Sequence, residues 1–225
     1  MENDIIDTNI PIIKIIILGE ACVGKTSIIK RYCTDDFQHT EPQTIGIDFI
    51  TTRKEIGGQL LKINMWDTAG QERYRKSITP QYIRGSHGII IAYDCTTIKT
   101  TEVIDESLEM VKSCESTKNV PIIILGNKCE ISPEFEEIDL DHPDVQFDKV
   151  LSFEEICEKY VGDLNIIGIC EVSAKTGHCV NDMVNKLVRQ IRISSALNEH
   201  VPSISIQKMV DNKEKKKKCC SSKSN

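Results

Sequence analysis

Four short apolar runs constrain this chain more than any other feature: Ile12 to Leu18, broken only by Lys14, then Gly88 to Tyr93, Pro121 to Leu125 and a weaker run from Asn165 to Cys170. Nearly unbroken apolar runs of this length, rather than alternating ones, mark strands buried on both faces of a parallel sheet. Segments with helical spacing separate them, at Lys25 to Cys33, Thr101 to Cys114 and Val180 to Leu197, and a further helix is expected to start near Ser152. In the last long segment Met183, Val184, Leu187, Val188 and Ile191 fall on one face. Alternating strand and helix predicts right-handed crossovers and a doubly wound α/β sheet. Ile45 to Ile56, a Gly57-Gly58 turn and Leu60 to Trp66 read as an inserted hairpin. The expected fold is a mixed, mostly parallel six-stranded sheet with helices on both faces.

The 225 residues suffice for one such domain plus a tail. No apolar run approaches a membrane span, and Met1 to Asp7 carries three acids and no base, unlike a secretory or mitochondrial leader. A cytosolic location is therefore expected. The net charge of −6 is unevenly spread: residues 208–225 hold seven lysines against Asp211 and Glu214, a net +5, which leaves −11 for the rest. An acidic body argues against nucleic-acid binding, and a short basic tail points to an anionic membrane face. Of ten cysteines, eight are scattered without a Cys-x-x-Cys pair, as in a reduced protein.

Gly19-Glu20-Ala21-Cys22-Val23-Gly24-Lys25-Thr26 follows the first strand and opens the first helix. This is the P-loop pattern, in which glycines let successive backbone N–H groups face a phosphate chain at a helix N-terminus. Lys25 adds a point charge for the β- and γ-phosphates, Thr26 offers Mg2+ a hard oxygen, and Ser27 is expected to join the site. At the end of the next strand, Asp67 can hold the Mg2+ shell, Gly70 can swing an N–H onto a γ-phosphate, and Gln71 can orient the attacking water. Asn127-Lys128-Cys129-Glu130 and Ser173-Ala174-Lys175 both leave carboxyl ends of strands, where ligands of open α/β sheets bind. An acid there, Glu130, can accept two donors from a guanine edge that adenine lacks.

Taken together, these motifs resemble a Ras-superfamily small GTPase of the P-loop NTPase class, and within it the Rab family, from about Lys14 to Leu197. Thr44-Ile45-Gly46-Ile47-Asp48-Phe49 resembles the Rab version of the segment following switch I. Trp66 to Arg75, with Ser77-Ile78-Thr79, Tyr82, Arg84 and Gly85, resembles its switch II. The resemblance implies that Thr44 binds Mg2+ in the GTP state, that Phe37 packs against guanine and that Gln71 positions water. It implies a monomeric GTP/GDP switch of slow hydrolysis that regulates vesicle trafficking. Effectors, an exchange factor and a GTPase-activating protein would read the switch surface, and a prenylation escort and a GDP-dissociation inhibitor would handle the tail.

Two positions depart from the family pattern. Glu130 stands where Asp is usual, and the extra methylene is expected to loosen the grip on guanine. Cys22 stands where a small residue, usually Gly, is found. Residues 130–148 contain eight acids and no Lys or Arg, which reads as an acidic surface insertion at about 130–150. The domain layout expected is a flexible N-terminus at 1–11, a GTPase domain at 12–198 and a disordered basic tail at 199–225. Lys215 to Lys218 before Cys219-Cys220 resembles Rab ends whose paired cysteines are geranylgeranylated, so membrane cycling is expected. The rival readings are a scaffold that holds nucleotide weakly because of Glu130, and a different P-loop NTPase such as an ATPase.

Overall fold

Strand β1 (Ile12–Gly19) lies inside a sheet ordered β2-β3-β1-β4-β5-β6. The structure is a computed structural model of the chain and describes residues 10–44, 46–70, 81–97, 99–131, 152–160, 162 and 165–199. The elements follow as α1 (Lys25–Thr34), β2 (Ile47–Ile56), β3 (Gln59–Thr68), β4 (Gly88–Asp94), α2 (Lys99–Ser113), β5 (Ile122–Asn127), α3 (Phe153–Tyr160), β6 (Ile166–Glu171) and α4 (Val180–Glu199). The described residues up to Arg192 form one compact unit, and those beyond it are the end of α4. Only β2 runs antiparallel to its described neighbour, β3, and the other four pairings are parallel.

The isoleucine runs are explained by two cores, one on each face of the sheet. Ile15 and Ile17, Ile90 and Ala92, and Ile123 and Leu125 face Ile28, Ile29 and Tyr32 of α1 and Val184, Leu187 and Val188 of α4. The intervening Ile16 and Leu18, Ile89 and Ile91, and Ile122 and Ile124 face Ile104, Leu108 and Val111 of α2 and Ile156 and Tyr160 of α3. Each strand residue is therefore buried whichever way it points, which is why no polar alternation is seen. β6 is half-buried along its whole length, as its weaker apolar run foretold, because it forms an edge of the sheet.

The hairpin turn needs its two glycines. Gly57 and Gly58 both take positive φ, 60° and 73°, as the tight hairpin turn that matches strand twist demands. At the start of α3, Ser152 and Glu155 form a reciprocal cap: the Glu155 N–H donates to Ser152 Oγ at 3.2 Å and the Ser152 N–H to Glu155 Oε2 at 2.8 Å. The acidic stretch after Ile131 and the Gln71 loop lie outside the described residues.

Candidate functional site

The carboxyl ends of β1 and β5 open onto a cleft of about 390 Å³, which also draws on the loop between α1 and β2 and the loop after β6. Of the residues expected to hold a ligand, Ala21, Cys22, Gly24, Lys25, Thr26, Ser27, Phe37, Thr44, Gly70, Asn127, Lys128, Glu130, Ala174 and Lys175 line it. Val23, Asp67 and Ser173 are buried and, like Gly19 and Glu20, do not line the cleft themselves. Gln71, Cys219 and Cys220 lie outside the described residues.

One end is built to meet anionic oxygens and a hard cation. Lys25 begins α1 and is buried, its Nζ donating to the carbonyls of Gly19 at 3.2 Å and Glu20 at 2.7 Å. One residue on, Thr26 Oγ1 donates to Asp67 Oδ2 at 2.6 Å, and Thr44 Oγ1 approaches the same oxygen at 3.1 Å and Thr26 Oγ1 at 3.0 Å. Asp67 Oδ1 is buried with no partner among the described residues. Burial pushes the Asp67 carboxyl up from its ordinary range, opposed by the Thr26 hydroxyl and the Lys25 ammonium. The hydroxyl oxygens of Thr26 and Thr44, gathered on a partly orphaned carboxylate, form with it a donor set suited to Mg2+. Gly70 packs so closely on this loop that a Cβ there would strike the backbone of Ala21 and Glu20. Cys22 is exposed at a φ of 64°, a left-handed conformation that costs a side-chain-bearing residue about 1 kcal/mol or more.

The other end is stapled by one amide. Asn127, 3% exposed, donates through Nδ2 to the Val23 carbonyl at 2.9 Å and accepts at Oδ1 from the Ala174 N–H at 3.0 Å. It thereby ties the phosphate loop, its own loop and the loop after β6 together. Lys128, at a φ of 68°, is ion-paired with Asp94 at 2.6 Å. Glu130 occupies a single 3-10 turn, Cys129–Ile131, and its Oε2 is buried in the cleft wall with no partner among the described residues.

Two supporting residues escaped the sequence reading. Arg31 donates from Nε to the Ala174 carbonyl and from Nη2 to the Lys175 carbonyl, both at 2.8 Å, and so fixes the loop that Asn127 anchors. Asp94 holds Lys128 from the end of the neighbouring strand. Away from the cleft, Phe49 is 53% exposed and stacks on Trp66 at 5.3 Å, and Trp66 meets Tyr82 at 5.7 Å, so that the three form an aromatic strip.

The Ras family model matches residues 14–193. Ras-related protein Rab-13 of Mesocricetus auratus is 37% identical over 182 residues, which cover 81% of this chain and 81% of that protein. Ras-related protein Rab-1C of Dictyostelium discoideum is 33% identical over 184 residues, 82% of this chain and 83% of that protein. This chain belongs to the Rab family of small GTPases. Ras-related protein Rab-19 of Homo sapiens extends the set at 31% identity over 188 residues, 82% of this chain and 77% of that protein. As a Rab GTPase it binds GTP and GDP, hydrolyses GTP and regulates membrane trafficking, with regulatory and effector proteins as its partners. Family membership disfavours both the nucleotide-weak scaffold and the ATPase. Among the described residues no helix is long and apolar enough to cross a membrane, and the eight cysteines form no disulfide.

Proposed function

We propose that the cleft is the GTP/GDP site of this Rab switch, with phosphates on Gly19 to Ser27 and Gly70, and the base between Phe37 and the loops of Asn127 to Glu130 and Ser173 to Lys175. The observation that carries this reading is the convergence of Thr26, Thr44 and Asp67 oxygens beside Lys25, in the same cleft as the unpartnered Glu130 oxygen. Mg2+ held by Thr26 and Thr44, with Asp67 fixing its shell, would neutralise charge between the β- and γ-phosphates. Lys25, leaving the Gly19 and Glu20 carbonyls for phosphate oxygens, orients the chain for in-line attack. Gln71 positions the water whose oxygen bonds to the γ-phosphorus as the bond to the β-bridging oxygen breaks, giving GDP and inorganic phosphate. Loss of the γ-phosphate releases Thr44 and Gly70, which changes the surface that partners read.

No arginine of the chain is assigned to the transition state, so a GTPase-activating protein supplies one, worth about 10³ to 10⁵ in rate. Residues 12–198 act as the GTPase domain, with the acidic stretch at about 130–150 a solvated surface insertion. The tail from 199 carries geranylgeranyl groups on Cys219 and Cys220, so that a monomer cycles between cytosol and an intracellular membrane with the help of an escort and a GDP-dissociation inhibitor. Effectors dock on the switches and the adjoining Phe49, Trp66 and Tyr82 strip. Single-turnover hydrolysis of GTP with and without Mg2+, for the parent and Gln71→Leu, tests the chemistry. Hydrolysis that needs Mg2+ and falls at least tenfold in Gln71→Leu, with GTP binding kept, supports it; equal rates in the two proteins would refute the Gln71 role.

A further inference from the structure

The loop from Phe37 to Thr44 forms one wall of the cleft, and it is fastened to α1 at two places one helical turn apart. The first is the Thr26 to Thr44 contact at 3.0 Å, which by the proposed function is governed by metal and γ-phosphate. The second owes nothing to ligand: Lys30 Nζ donates to both carboxylate oxygens of Glu41, at 2.8 Å to Oε1 and 2.7 Å to Oε2. Lys30 follows Thr26 by four residues, so the two fastenings lie on the same face of α1. The pair is sheltered, its side chains 28% and 12% exposed, and Glu41 itself lines the cleft. Phe37, on the near side of the pair, packs against the core under α1 and meets His39 edge to face at 5.2 Å.

We infer that Lys30 and Glu41 form a ligand-independent latch that holds the first half of this loop, with Phe37, over the bound nucleotide after Thr44 has let go. The latch divides the loop at residue 41. Residues 37–41 stay fixed in both nucleotide states and retain the nucleotide, and residues 42–44 move with the γ-phosphate. A second consequence is electrostatic. Glu41 is a carboxylate on the wall of a cleft meant for a polyphosphate, and Lys30 neutralises it; Lys30 removed alone leaves an uncompensated negative charge beside the phosphates. The two residues are positioning residues rather than catalytic ones, and the inference rests on the cleft being the GTP/GDP site.

Release of a fluorescent GDP and of a fluorescent non-hydrolysable GTP analogue, at fixed Mg2+, tests it in the parent, Lys30→Ala, Glu41→Gln, the double variant, and the charge swap of Lys30→Glu with Glu41→Lys. Lys30→Ala is expected to release GDP about five- to twentyfold faster, and Glu41→Gln to be accelerated less because the charge it leaves unpaired, the Lys30 ammonium, is the more exposed of the two and attracts a polyphosphate rather than repelling it. The double variant should match Glu41→Gln rather than multiply the two effects, and the swap should recover most of the parent rate. Release of the GTP analogue should change less than release of GDP, because Thr44 then supplies the second fastening, a difference that general loosening of the fold would not produce. GDP release at the parent rate in both single variants, multiplying effects in the double, or equal acceleration of both nucleotides would overturn the latch alone. A parent that holds no guanine nucleotide would overturn the site and the latch together.

Discussion

Asn127→Asp is nearly isosteric, so it changes hydrogen bonding without opening a cavity. The oxygen facing Ala174 can still accept at 3.0 Å, but the group facing the Val23 carbonyl turns from donor to acceptor at a 2.9 Å separation. The lost bond is worth about 1 kcal/mol net, and leaving a buried carbonyl unsatisfied costs a further 1 to 3 kcal/mol, so about 2 to 4 kcal/mol is at stake at neutral pH. For a domain of this size that lowers the melting temperature by about 4 to 16 °C. The loss depends on pH in a defined direction. Protonation restores an O–H donor toward Val23, so the introduced carboxyl has a raised pKa in the folded state. Its penalty is therefore absent below its unfolded pKa and grows as pH rises toward its folded pKa. Thermal melts from pH 5 to 8, with GDP release rates at each pH, measure both effects. A variant that melts with the parent at pH 7.5 and releases GDP at the parent rate would refute the claim that Asn127 staples three loops.

Glu130→Asp should slow GDP release about ten- to a hundredfold without changing the hydrolysis step, since shortening the acid improves two charge-assisted bonds to guanine; an unchanged or faster release rate would show that the loop fits the longer acid. His87 accepts from the Lys14 N–H through Nδ1 at 3.0 Å, and burial followed by the nearby Lys14 charge lowers its pKa. Stability should therefore be full above the unfolded histidine value of about 6.5 and fall as pH drops below it toward the folded value. His87→Asn should flatten that part of the melting curve. Changing Cys219 and Cys220 to Ser should shift the protein from membrane to soluble fractions with the lysine run intact, because lysines alone at about 1 kcal/mol each, screened by salt, support only transient contact. Intact mass from the native host checks the modification itself.

The sheet was legible because both faces of every central strand are buried, so the isoleucine runs had no polar interruptions to mask them. The phosphate end of the cleft was legible because Gly19, Gly24, Lys25 and Thr26 must sit at fixed spacing within one short stretch for its backbone N–H groups to face one ligand. The supports were not. Arg31 reaches carbonyls 143 and 144 residues away, and a backbone acceptor leaves no trace in the sequence of the residue that provides it. The Lys128 to Asp94 pair likewise exists only because β4 and β5 lie side by side with Asp94 opposite Asn127. The aromatic strip was hidden for the same reason: Phe49, Trp66 and Tyr82 stand in three separate segments of the sequence, and only the β2–β3 register, which sets Phe49 opposite Trp66, and the contact of Tyr82 with Trp66 bring them together.

Calorimetric titration of nucleotide-free protein with GDP, GTP and ATP, each with Mg2+ and with a chelator, tests the nucleotide and metal assignments together. One site per chain should take GDP and GTP, tighten by at least tenfold with Mg2+, most of all for GTP, and not register ATP at the same concentrations. Binding of ATP as tight as that of GTP, or guanine nucleotide binding indifferent to Mg2+ for GTP, would contradict the assignment of Glu130 to the base and of Thr26, Thr44 and Asp67 to the metal.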